Sequence, residues 1–189
     1  MGMRNLGMCS VIIPTIDISS IPRASIDKWF TVDLGECSKK EYASYLTRFI
    51  LSIPWILDSM IIILENQIGP NAVYMSGLNM VVEATIISLC FANRIISPKI
   101  YYISSTAKFK PMSIYLDVTL PYTISTSDKH TVRRRNTKRN SVYLASQMSN
   151  KFTDLKSIIS RSRFVDLPED SRYDMADAAN LIWTYILKK

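Results

Sequence analysis

The stretch "SMIIILE", Ser59 to Glu65, constrains this chain more than any other. Five apolar residues run without a break and end on a carboxylate. A short continuous run of this kind reads as a strand covered by helices on both faces, the pattern of a central strand in an α/β sheet. The glutamate at its end is costly to desolvate unless something compensates its charge. Functional groups in open α/β sheets gather at the carboxyl ends of the strands, so Glu65 is the first candidate site residue.

The surrounding pattern agrees with an α/β domain. Leu6 to Ile13 and Trp29 to Gly35 read as strands, and so does "KIYYISST", Lys99 to Thr106. Ser38 and Glu41 form a capping-box pattern before an amphipathic run through Ile50, which Pro54 should end. The segment from Asn71 to about Ile96 predicts a long helix, apolar almost all round and therefore covered on more than one side. From Lys110 to Lys129 the signal is weak. "TVRRRNTKRNSVYLASQMSNKF" predicts a basic turn that becomes a helix near Asn140, and the chain closes in a helix from near Asp174. The expected whole is one α/β domain over residues 1–189, a mixed sheet flanked by helices.

Composition removes several classes of function. With three cysteines far apart and one histidine, a zinc site and a disulfide framework are both excluded, and buried thiols in a reducing compartment are expected. His130 lies in the polar "SDKHTVRRR", which makes it a poor base for a nucleophilic triad. The two apolar stretches carry Pro54 and Asp58, and Glu83 and Arg94, so neither reads as a clean membrane span. The net charge of +7 suggests a polyanionic partner.

Two further carboxylates stand out. Asp174 and Asp177 are three residues apart, which places them on one helix face. As an N-cap and a first-turn acid they would need no further role. Together with Glu65 they would suit a hard divalent ion, Mg²⁺ or Mn²⁺, which takes oxygen ligands and serves phosphodiester hydrolysis.

These motifs, in order, resemble the RuvC-like Holliday-junction resolvases, nearest to the fungal mitochondrial type, with poxviral resolvases more distant. "MGMRNLG" is similar to the family's first motif, an Ile-Asp-x-Gly strand end followed by a basic-Asn pair. "ILENQ" (Glu65 to Gln67) resembles its Glu-x-Gln strand end, and "YDMADAANLI" its Asp-x-Ala-Asp final helix. "YYISSTAKFK" resembles the strand that ends in a lysine, here Lys108, and "TKRNSV" the basic start of the penultimate helix. The resemblance implies an RNase H-like fold and a Mg²⁺- or Mn²⁺-dependent endonuclease acting on four-way DNA junctions. The metal would be held by Glu65, Asp174 and Asp177, with Lys108 near the scissile phosphate. It further implies a homodimer built through the helix near 71–96, and a mitochondrial location, with a viral factory as the alternative. The family's first catalytic Asp would stand immediately before Met1, and most of the first strand with it. On that expectation the chain is truncated relative to the family, holds three of four carboxylates, and cleaves weakly or not at all while keeping DNA binding.

Residues 129–163 are rich in positive charge. Arg133, Arg134, Arg135, Lys138 and Arg139 are the expected phosphate contacts, with Arg4 and Gln67 near the strand ends. A solvated basic surface is the plain alternative. Two other functions compete with the nuclease: a non-catalytic DNA-binding relative, and a basic membrane-surface or protein-interaction domain in which the acids are caps.

Overall fold

The computed structural model describes residues 5–12, 24–33, 41–66, 72–104, 107, 109–125, 127, 129–152 and 154–188. They form β1 (Asn5–Ile12), β2 (Ser25–Asp33), α1 (Tyr42–Leu51), a 3-10 turn (Pro54–Asp58), β3 (Ile61–Asn66), α2 (Ala72–Ala92), β4 (Lys99–Ser104), α3 (Phe109–Leu116), α4 (His130–Ser149), α5 (Leu155–Asp166) and α6 (Glu169–Ile186). By their contacts these divide into two units. One holds α1, the 3-10 turn, β3, α2 and β4; the other holds β1, nearly all of β2, and α3 to α6. The class is mixed α/β, as the pattern predicted. Among the described residues the strands form two sheets of two strands each, β1 with β2 and β3 with β4, in place of one mixed sheet.

In the first unit β3 and β4 run parallel, with Glu65 opposite Ile103. The strands are where the sequence put them, but β3 is half-buried along its length rather than covered. A run of isoleucines has no period from which one covered face can be told from two. α2 packs on β3 and on α1, with Leu78, Ile86 and Cys90 buried. Tyr42 and Tyr74 meet edge to face, their ring centroids 6.4 Å apart. By length and composition α2 would reach across a membrane (Val73–Ala92, mean hydropathy 1.6). Its Glu83, however, accepts a hydrogen bond from the Tyr102 hydroxyl of β4, which ties the helix to the strand. Desolvation, together with that contact, pushes the Tyr102 phenol up to about 12. α1 ends before Pro54 as expected. Glu41 is its N-cap and makes no side-chain cap bond, so it does not serve as the third residue of a capping box; Ser38 lies outside the described residues.

The second unit is built around α6. α6 packs against β1, α4, α3 and α5. Met175, Ala176, Ala179 and Trp183 of α6 are buried, with Leu144, Ala145 and Met148 of α4 and Phe164 of α5. Trp29 of β2 stacks on Phe164 at 4.0 Å, and its Nε1 donates to the Met175 carbonyl oxygen at 2.8 Å. β2 is also tied to α5, since the Ile26 N–H donates to Ser157 Oγ at 2.7 Å.

Four boundaries in this unit differ from the sequence reading, the first being that β2 begins at Ser25 and not at Trp29. α4 begins at His130, so the basic run is helical and not a turn. α6 begins at Glu169 with Pro168 as its N-cap. The weak region contains the short helix α3, whose Met112 is fully buried.

Candidate functional site

The earlier start of α6 changes the meaning of its acids. Asp174 and Asp177 stand in the second and third turns, beyond the reach of the helix N-terminus and its unpaired N–H groups. They are therefore not caps. Their charge is met across the helix pair, by α4. Lys138 Nζ lies 2.6 Å from Asp177 Oδ2 and 3.4 Å from Asp174 Oδ1. The other oxygen of Asp177 accepts from the Ser141 hydroxyl at 2.5 Å. Asn180 Nδ2 then donates to Ser141 Oγ at 2.8 Å and to the Ser141 carbonyl at 2.9 Å. Ser141 and Asn180 are fully buried, and Asn180 Oδ1 is buried without a hydrogen-bond partner among the described residues. Asp177 is consequently held on both oxygens, while Asp174 is the more exposed of the two.

The spacing explains this assembly. Lys138 and Ser141 are three apart on α4, as are Asp174, Asp177 and Asn180 on α6, so each set shares a face. The donor set suits a hard cation: two carboxylates on one face, one of them oriented from behind by a hydroxyl. Within this unit, among the described residues, no third carboxylate, histidine or cysteine joins them in a metal-sized cluster.

Beside the pair runs an open groove of ≈ 620 Å³ lined by Thr131, Arg134, Arg135, Lys138 and Arg139 of α4 and by Pro168, Glu169 and Tyr173. The α4 residues follow i, i+3, i+4, i+7 and i+8, one continuous helix face. Arg134 and Arg135 are exposed. Arg139 pairs with Glu169 at 2.9 Å, lies 5.2 Å over the Tyr122 ring, and has its proton held more tightly by the carboxylate. Tyr173 donates to the same carboxylate at 3.1 Å. Arg133 departs from the expected set. It is off the groove-lining face, and its Nε is buried with no hydrogen-bond partner among the described residues.

The sequence thus named Asp174, Asp177, Lys138, Arg134, Arg135 and Arg139, and the structure brings these together. Glu65 is the last residue but one of β3 in the other unit, where Asn79 Nδ2 of α2 donates to its backbone carbonyl at 2.8 Å. Lys108, Arg4 and Gln67 lie outside the described residues. Ser141, Asn180, Glu169 and Tyr173 were missed. The helical spacing of Ser141 from Lys138 was the one available signal, and it was hidden by reading the basic run as a turn.

No protein-family model matches this sequence, and no curated protein matches it. Among solved structures, the crystal structure of the yeast mitochondrial Holliday junction resolvase Ydc2 matches with a TM-score of 0.59. The likeness covers 100% of this chain and 79% of that one, at 13% identity. The chain shares the fold of that structure. At that identity the likeness establishes the fold, and activity has to be argued from the side chains on it.

Proposed function

We propose that this protein is a metal-dependent, structure-selective endonuclease that acts on four-way DNA junctions. One observation carries the reading: a paired-carboxylate site and an arginine-lined groove share a wall, because Lys138 belongs to both. Backbone phosphates lie along the groove on Arg134, Arg135 and Arg139, contacts that give affinity without reading sequence. Asp174 and Asp177 hold Mg²⁺ or Mn²⁺, with Glu65 assigned to the same chemistry by its "ILENQ" motif. When bound, such an ion activates water and stabilises the leaving oxygen. Ser141 and Asn180 keep Asp177 oriented. Lys108 is assigned to the phosphate by the family resemblance, and the mitochondrion is the proposed compartment by the same likeness.

The proposed assembly is a homodimer through α2. Its Val73, Met80, Ile87 and Phe91 recur at intervals of seven, seven and four, and Val73 and Phe91 are each 87% exposed. A self-complementary apolar stripe of this length suits an isologous contact.

The test is nicking of a synthetic four-way junction with Mg²⁺ or Mn²⁺, by this chain and by the chain carrying Ile-Asp ahead of Met1. Cleavage that disappears in Asp177→Asn and Glu65→Gln is the expected result. No nicking by either chain, or nicking that survives both substitutions, would overturn the reading.

A further inference from the structure

We propose that Lys138 is a shared counter-ion that couples phosphate binding in the groove to divalent-cation binding at Asp174 and Asp177. The inference rests on the nuclease reading above and assigns a regulatory step to it.

A lysine ammonium is a compact point charge on a flexible stem. Here that charge lies between two carboxylates, 2.6 Å from one and 3.4 Å from the other. The same side chain lines the groove with Arg134, Arg135 and Arg139. An ammonium on the pair and a divalent cation on the pair repel each other over a few ångströms, where the attraction and repulsion of partly buried charges are least screened. Without DNA, then, Lys138 competes for the carboxylates. A phosphodiester in the groove offers Nζ another anion and draws it off.

The pair is built to outlast that departure. Lys138 binds Asp177 through Oδ2, whereas Ser141 holds Oδ1 and is itself fixed by Asn180. Asp177 therefore keeps its orientation when Lys138 leaves. Coupling of this kind is reciprocal, so the cation and the DNA each tighten the other's binding.

The experiment uses the full chain and Mn²⁺ alone, with binding read from the electron paramagnetic resonance signal of free Mn²⁺. Lys138→Met is expected to bind Mn²⁺ about two- to fivefold more tightly than wild type, the factor that loss of a partly exposed ion pair allows. Lys138→Arg stays near wild type. A second readout is the affinity for a fluorescent DNA duplex at matched ionic strength. Mn²⁺ tightens it for wild type and leaves Lys138→Met unchanged. This arm needs no variant to fold: if Mn²⁺ fails to tighten duplex binding by wild type, the proposal is overturned. It is overturned as well if folded Lys138→Met binds Mn²⁺ no more tightly than wild type. Asp177→Asn separates this failure from that of the nuclease reading. Mn²⁺ binding lost in Asp177→Asn but unchanged in Lys138→Met defeats the coupling alone. Mn²⁺ binding unchanged in Asp177→Asn defeats the cation site itself.

Discussion

Gly7 of β1 lies directly against the backbone of Asp174 in α6. A Cβ built on Gly7 would stand 1.9 Å from the Asp174 carbonyl oxygen and 2.3 Å from its carbonyl carbon. Nothing larger than hydrogen fits there. The next carbonyl along, that of Met175, accepts from Trp29 of β2. Both strands of this sheet therefore seat the turn of α6 that carries the carboxylate pair, and the position of the site is set by strand–helix contact, not by the helix alone.

Gly7→Ala should accordingly cost about 3 kcal/mol or more, at or beyond the upper end for overpacking, because the opposing atoms are backbone and cannot rotate away. In a chain of this size that lowers the melting temperature by roughly 10 °C. Thermal denaturation followed by circular dichroism checks it. A variant that melts with wild type would mean that β1 and α6 do not approach as described.

The groove makes a prediction about salt. Neutralising Arg134 and Arg135 together should reduce the slope of log affinity against log salt for duplex DNA by about two, one for each lost phosphate contact. Arg133→Gln should change the slope much less, since Arg133 is absent from the groove lining. Fluorescence anisotropy titrations over a range of salt concentrations measure both. Equal effects from Arg133 and Arg134 would place the DNA on another face of α4.

β1, β3 and β4 were legible because each was a distinct apolar run, whereas β2 was read only from Trp29 because the charged Asp27 and Lys28 interrupt its first half. The Asp174–Asp177 pair was legible because three-residue spacing is readable without knowing where a helix starts. The helix starts themselves were harder. α4 opens with charge on every side, so the hydrophobic period that announces a helix is missing until Val142, and Lys138 and Ser141 were not seen as one face. α6 had an available start signal, Pro168 followed by Glu169 and Asp170, but the later acids drew the boundary forward. The contact between Gly7 and Asp174 joins residues far apart in the chain, and no local pattern encodes it. The supporting roles of Ser141 and Asn180 exist only once α4 and α6 are packed.

The exposed stripe on α2 predicts the oligomeric state. Phe91→Glu with Met80→Glu should convert a dimer to a monomer, because two like charges on each copy face their counterparts across a two-fold contact. Sedimentation velocity checks this. Neither residue is among the buried residues of its own unit, so the monomer should keep its melting temperature. A wild-type chain that sediments as a monomer at every concentration would remove the α2 interface.

The last prediction concerns acid. Asp154 caps α5, accepting from the Ser157 N–H at 2.9 Å and from the Ser25 hydroxyl of β2 at 2.9 Å. Desolvation by burial opposes its charge, but the hydrogen bonds from Ser157 and Ser25 outweigh that effect and hold its carboxyl below the ordinary 3.8. A group with a depressed folded pKa adds stability above its unfolded value and loses it as pH falls through the folded one. Asp154→Ala should therefore lose about 1–2 kcal/mol at neutral pH, the usual worth of an N-cap. The gap between wild type and variant should close well under pH 3.8, where the carboxyl is protonated in both folded and unfolded chains. Denaturant unfolding of both proteins at the two acidities measures the difference. A gap of the same size at both would mean that the charge of Asp154 contributes nothing and that the side chain acts through packing alone.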